Sequence, residues 1–449
     1  MRDSSFRCWC RPASNKNPRI YDPFDFPERR ADSVGMTSRN ISRRGFLHTA
    51  GAGAITVWIP KKASGYTAAD MRAMAADDTL PGVGVSKWEL DTPALCVDLD
   101  KLEQNLATMK AKLATTDVAT RPHAKTHKCP AIAKLQMAAG SIGVCTAKVS
   151  EAEALFANGV DKILMTTSNV TANKIRRAMK IRKANANFIQ AVDYAPNARD
   201  LNDAAREAGI RADVVIDVAV GTRTGIPPGQ QALELAQLVD TLPHLKLRGI
   251  ISYDGGAQHI KGFKTRMERT LQNFEPSVQT FEMFKRSGLN TGIFSGGGTG
   301  TYNIMTKIPG FTDLQVGSYI FMDCQYLEIG GEENEDLYTD FVPSLTVMTT
   351  VLNNYFPNRL TTDAGQKALT LNKPGPIVIG EKGFAYNAGS DEFGAIQYET
   401  SSKAYAVGDK LELIVPHCDP AVNEYDQIYG TRKDRVEVVW PIAARGHSQ

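Results

Sequence analysis

From residue 91 onward, apolar runs of five to eight residues alternate with stretches whose apolar positions recur at helical spacing. A short apolar run bounded by turn residues reads as a buried strand, and the periodic stretch after it as an amphipathic helix. Strands are predicted at Val118–Arg121, Gly143–Thr146, Lys162–Thr167, Asn187–Val192, Asp213–Val218, Leu247–Tyr253, Gly292–Gly296 and Gln315–Phe321. Helices are predicted at Ile132–Ala139, Val149–Asn158, Thr171–Arg182, Ala195–Ala208, Gln231–Thr241 and Lys264–Ser287. Eight strands alternating with helices predict an α/β fold, a (β/α)8 TIM-like barrel over residues 91–341, rather than an open doubly wound sheet. An open dinucleotide-binding sheet wants a glycine-rich turn after its first strand, and "RPHAKTHK" (residues 121–128) is no such turn.

Past residue 342 the period shortens. "SLTVMTTVLNNY", "KALTLN", "PIVIGE", "GAIQYETS", "KLELIVPH" and "DRVEVVWPI" are short runs broken by Gly, Pro and Asn. They predict a C-terminal all-β domain over residues 342–449, expected to recruit "TPALCVDLD" (residues 92–100) from ahead of the barrel.

The first 75 residues follow neither pattern. "SRRGFLHTAGAGAITVWIP" (residues 42–60) has twin arginines, then a mildly apolar stretch without acidic residues, then Lys61 and Lys62. This resembles a twin-arginine export signal. The expectation is a signal and linker over residues 36–76, with small residues between Tyr66 and Asp78 able to hold the cleavage point. Residues 1–35 then form an over-long start or a disordered extension. The location expected is periplasmic, or cytoplasmic if the signal is not used, with no stable membrane insertion after processing.

Composition changes this picture little. A chain that is 42% hydrophobic and 22% charged suits a globular protein. Net charge is only +3, with no dense Lys/Arg stripe, which argues against a nucleic-acid partner. Seven scattered cysteines show neither metal-knuckle spacing nor a disulfide framework.

The unusual polar residues fall at the C-terminal ends of the predicted strands: Lys125 after strand one, Arg223 after strand five, Tyr253 ending strand six, "SGGGTGTYN" after strand seven and Asp323 after strand eight. Barrel active sites are built on that face. "RPHAKTHK" itself allows three readings: a metal half-site from His123 and His127, a solvated basic loop, or a lysine whose cationic neighbours lower its pKa. The histidine pair lacks the intervening glutamate of a zinc protease. The glycine run favours the third reading. Gly297, Gly298 and Gly300 let backbone N–H groups approach an anion, and Thr299 and Thr301 add hydroxyls, in the usual barrel phosphate position. A phosphate site and a lysine on one face suggest pyridoxal 5'-phosphate. Farther on, "VPHCDPAVN" places His417 and Asp419 on one side of an extended segment, with Cys418 turned away. Such a pair suits Mn2+, Mg2+ or Zn2+, although a lone His-x-Asp pair is more often structural.

These stretches, with "VSEAEALFANGV", "LQVGSYIFMD" and "DAGQKAL", resemble the D-threonine aldolase, D-serine dehydratase and 3-hydroxy-D-aspartate aldolase family of alanine racemase fold, over roughly residues 90–446. The resemblance implies that Lys125 condenses with the cofactor and that Thr299, Gly300 and Thr301 hold its phosphate. Tyr253 and Arg223 would lie beside its ring, and His417 with Asp419 would hold a divalent metal. It also implies a homodimer and a small D-β-hydroxy amino acid as substrate. The expected reaction is Cα–Cβ cleavage to glycine and an aldehyde, with His123 as base. The alternatives are a dehydratase releasing ammonia and a keto acid, a pyridoxal-phosphate-binding protein of little activity, and a racemase. Asp419, where dehydratases carry cysteine, favours the aldolase. Departures from the family pattern are Ala147 in "CTAK", the run Thr166 to Asn169, Val218 and Ala219 before "GTRTG", and Phe393 in "DEFG".

Overall fold

Seven of the eight predicted barrel strands form, most of them shorter than the apolar run that encodes them, and the eighth lies just ahead of its predicted run. The structure is a computed structural model that describes residues 65–449. Strand β1 (Ala94–Asp98) leads into a helix, Leu99–Leu113, and then into the barrel strands β2 (Ala119–Thr120), β3 (Val144–Thr146), β4 (Ile163–Met165), β5 (Ile189–Val192), β6 (Ala212–Asp217), β7 (Leu245–Ser252), β8 (Ile293–Gly296) and β9 (Asp313–Leu314). They pair in parallel in the order β2-β9-β8-β7-β6-β5-β4-β3. The ends of that path meet just past β2. There Cys145 donates its N–H to Pro122 O at 2.7 Å, and Ala124 donates to Cys145 O at 2.8 Å. The barrel is therefore closed by the same basic segment that holds the candidate lysine. Its interior is filled by Cys145, Leu164, Ile189, Ala191, Val215, Ile251 and Ile293, side chains of alternate strand positions as a closed sheet requires.

The last barrel strand departs from expectation. Only Asp313–Leu314 is strand, and Ser318–Ile320 inside the predicted Gln315–Phe321 is a 3-10 turn. Val316, Tyr319, Ile320 and Phe321 are all buried, so the apolar run reports burial, which a turn satisfies as well as a strand.

The C-terminal strands are β10 (Leu345–Asn353), β11 (Arg359–Thr362), β12 (Ile377–Val378), β13 (Ala385–Asn387), β14 (Gly394–Gln397), β15 (Lys410–Ile414), β16 (Gln427–Arg432) and β17 (Arg435–Pro441). As expected, "TPALCVDLD" joins them: β1 lies between β10, antiparallel, and β16, parallel. "KALTLN" is not a strand; Gln366–Leu369 is a helical turn after Gly365. Nor is "HCD" extended: His417 precedes a short helix, Cys418–Val422.

Ahead of β1, Thr67 caps a helix, Ala68–Ala76, through a reciprocal bond pair with Asp70. Its Met71 is buried against Leu80, Val85, Leu90, Tyr429 and Val436. The stretch expected to hold a cleavage point thus packs on the β domain. The twin-arginine stretch and residues 1–35 lie outside the described residues. Among the described residues no helix is long and apolar enough to cross a membrane.

Candidate active site

Five basic side chains crowd residues 121–128, and the fold disposes of four of them. Arg121 turns away to Asp313 at 2.9 Å, both buried. Lys128 reaches Glu151 at 3.3 Å, whose carboxylate also accepts the N–H groups of Ala147 and Lys148 at 2.8 and 3.1 Å, opening the helix Val149–Ala157. His127 is fully buried. Its Nδ1 accepts the Cys129 N–H at 3.0 Å, so its proton sits on Nε2 and faces Gln136 Oε1 at 3.2 Å; burial pushes its pKa down to about 4. Burial, then the charges of Lys125, His127 and Arg223, push His123 well below the ordinary imidazole range. Two paired cations and two neutral rings leave Lys125 as the basic group of this segment that faces the cavity with its charge.

That amine is not depressed as expected. Burial does press it down, but the Asp419 carboxylate and then Tyr253 outweigh burial and raise it. Its Nζ lies 3.8 Å from Asp419 Oδ2 and 5.8 Å from the centre of the Tyr253 ring. Arg223 sits over the same ring at 4.9 Å. Lys125, His123, Tyr253 and Arg223 line one cavity of about 210 Å³, with Ala147, Lys148, Asp217 and Gln315. His123 touches two neighbours at the long end of hydrogen bonding: the Lys125 N–H at 3.4 Å and Thr166 Oγ1 at 3.3 Å.

Asp217 escaped the sequence reading, although it is the last residue of β6 and so faces the same rim. Burial first, then the charge of Asp193, raises its pKa to about 7, against the pull of the Thr224 hydroxyl and Arg223.

The glycine run, Ser295 to Thr301, is wholly buried behind this rim and does not line the cavity. Close packing demands its glycines. A Cβ on Gly296 would fall 1.9 Å from Ser252 O, one on Gly298 2.6 Å from Gln258 Oε1, and one on Gly300 2.2 Å from Gln258 O. Gly297 has φ +62°. Thr301 does not present a free hydroxyl: its Oγ1 takes the Gly298 N–H at 3.2 Å and a Gln258 amide hydrogen at 3.0 Å. Thr299 Oγ1 accepts the Tyr319 N–H at 2.9 Å. Arg266, fully buried and also missed from sequence, braces the run from behind. Its guanidinium donates to Gly300 O, Ile260 O, Ile329 O and Gly330 O at 2.6–2.8 Å. Within the described residues the backbone N–H groups of Gly297 and Thr299 find no partner. Buried orphan donors are rare, and an anionic group is what such donors accommodate. This fits a phosphate, as the resemblance implied.

His417, expected with Asp419 to hold a metal, is paired in the structure with Asp323 from the segment after β9. Asp323, wholly buried, faces His417 Nδ1 at 2.8 Å and accepts the Cys418 N–H at 2.9 Å. Burial lowers the His417 pKa, but Asp323 and then Asp419 override it upward. Ligand atoms of Asp323, His417 and Cys418 lie within 4.8 Å of one another. Burial and the two nearby carboxylates push the Cys418 thiol well up. An imidazole with a carboxylate suits a hard or borderline divalent cation; Asp419, the carboxylate expected beside His417, is not one of these three. His259, half-covered by the Tyr326 ring at 4.8 Å, stands edge-on to His417 at 6.3 Å; as a lone histidine in a loop it carried no sequence signal.

Comparisons with known proteins match both halves of the chain. The alanine racemase N-terminal domain matches residues 97–325, and the putative serine dehydratase domain matches residues 344–431. D-threonine aldolase of an Arthrobacter species is 36% identical over 361 residues, 80% of this chain and 94% of the relative. The 3-hydroxy-D-aspartate aldolase of Paracoccus denitrificans is 34% identical over 370 residues, 82% of this chain and 95% of the relative. Among solved structures, D-threonine aldolase from Filomicrobium marinum superposes with a TM-score of 0.78 at 33% identity, covering 82% of this chain and 99% of that one. Barrel, β domain and residue matches together place the chain in the alanine racemase-fold family of D-threonine and 3-hydroxy-D-aspartate aldolases, to which it belongs.

Proposed function

We propose that this protein is a pyridoxal-phosphate- and divalent-metal-dependent lyase that cleaves the Cα–Cβ bond of D-β-hydroxy amino acids to glycine and an aldehyde. One observation carries the reading: the Lys125 Nζ lies 3.8 Å from the carboxylate of Asp419, two residues past His417. A lysine amine able to condense with a carbonyl, beside hard metal ligands, suits a substrate bearing both an α-amine and a β-hydroxyl. The aldolase names of the most similar relatives support the same choice.

When bound, the cofactor supplies an electron sink for the carbanion and the metal supplies acidity to the hydroxyl. The rest falls to the chain. Lys125 offers its amine from the end of β2, Tyr253 and Arg223 wall the ring site, and the glycine run offers its orphan N–H groups to the phosphate. His123, kept neutral by burial and by Lys125, takes the hydroxyl proton at Nδ1 once the long contact from the Lys125 N–H yields. Asp419 favours cleavage over ammonia loss.

The test is a product assay on purified protein, using D-threonine, D-phenylserine and 3-hydroxy-D-aspartate, with Mn2+ or with chelator. Aldehyde and glycine should appear only with metal, and Lys125→Ala should lose both the visible absorbance of the cofactor and turnover. Ammonia in place of aldehyde would turn the reading to a dehydratase; bound cofactor with neither product would turn it to a binding protein.

A further inference from the structure

Asp323 has no role in the reading above, yet it is the best-connected acid in the site. It is fully buried and follows Met322, whose φ is +52°. Oδ1 accepts the Tyr326 N–H at 3.0 Å, capping the helical turn Cys324–Leu327. Oδ2 accepts the Cys418 N–H at 2.9 Å and lies 2.8 Å from His417 Nδ1. Both oxygens are thus engaged by groups that hold the two chain segments of the metal site together.

A carboxylate can only accept, so the proton of a neutral His417 must sit on Nδ1. Its Nε2 lone pair is then free, and among the described residues that nitrogen has no hydrogen-bond partner. Metal-bound histidines commonly have such an acceptor behind them, fixing tautomer and ring orientation.

We infer that Asp323 is a positioning residue for the metal site, holding His417 with Nδ1 protonated and Nε2 presented to a divalent cation, and that it is not itself a ligand. This rests on the metal-dependent reading, but it makes claims about the metal-free protein that substrate assays do not touch.

The experiment uses the full chain with its cofactor, stripped of metal and labelled with 15N-histidine. Long-range 1H–15N spectra report the tautomer, and His417→Gln identifies the His417 signals. At alkaline pH, where the ring is neutral, the wild type should show Nδ1 protonated and Nε2 bare. Asp323→Asn keeps the size and the capping acceptor but can turn an amide donor toward the ring. It should shift the proton to Nε2 and weaken Mn2+ and Zn2+ binding, read by calorimetry, by about tenfold or more. Wild-type His417 protonated at Nε2 would overturn the inference, and needs no variant. So would weakened metal binding in Asp323→Asn with the tautomer unchanged, which would mark Asp323 as a direct ligand. Affinity unchanged despite a reversed tautomer would overturn it as well. A failed product assay beside the expected tautomer and affinities would sink the proposed reaction alone.

Discussion

Asp217 shows how a single side chain carries the tension of the site. Its folded pKa of about 7 lies above the ordinary aspartate value near 3.9. Between those values the native state holds a proton that the unfolded chain has released, so stability falls as pH rises through that window. Asp217→Asn, which keeps an acceptor for the Thr224 hydroxyl, removes that slope. In cofactor-free protein the variant should melt like the wild type near pH 4 and higher at pH 8, by an amount corresponding to a few kcal/mol at most. A melting difference that does not grow with pH would contradict this. Neither Asp217 nor its environment was legible in the sequence: a strand-terminal aspartate is common, and only the closed barrel reveals that Asp193 stands beside it. Lys125 was legible because a glycine-threonine run far along the chain, Ser295 to Thr301, gave it a partner. The sign of its pKa shift was not, since Arg121 and Lys128 spend their charge on Asp313 and Glu151.

At the scale of elements, the periodicities translate well where burial is one-sided and poorly where it is total. The helices after the barrel strands sit close to their apolar stripes, with Ala195–Ala208 matching its expected bounds. Gln315–Phe321 fails because nothing in an all-buried run separates strand from turn. The glycine run was read as a cradle, and the fold shows a second reason for it: Ser252 at the end of β7 leaves no room for a side chain on Gly296, and Gln258 after it leaves none on Gly298 and Gly300. Arg266 enforces that approach by filling four carbonyls with one planar cation, a geometry lysine cannot match. Arg266→Lys should leave several buried carbonyls unmet, at about 1–3 kcal/mol for each group left without a partner. Urea unfolding should show the loss, and cofactor retention through dialysis should fall with it; a variant as stable and as cofactor-tight as wild type would show that the brace is dispensable.

For the molecule as a whole, the candidate active site draws on barrel and β domain alike: Lys125 comes from one, Asp419 from the other at 3.8 Å, and Asp323 reaches His417 across the two. The barrel could be foreseen from eight alternations, and the β domain from its broken short runs. That the two would meet at Asp419 could not be foreseen without the family resemblance, because a His-x-Asp pair is silent about distance in space.

The place of β1 has a bearing on biosynthesis. It is among the first strands to leave the ribosome, yet its parallel neighbour β16 and the hairpin partner β17 are among the last. Until they emerge, Cys96 to Asp98 have an open flank where Tyr429 to Thr431 will dock, an invitation to foreign strands. A chain stopped before Gln427 should therefore accumulate as insoluble material or chaperone-bound monomer, although its whole barrel is present. Recovery of such a chain in soluble, cofactor-coloured form would show that the barrel matures without waiting for the final turn of synthesis.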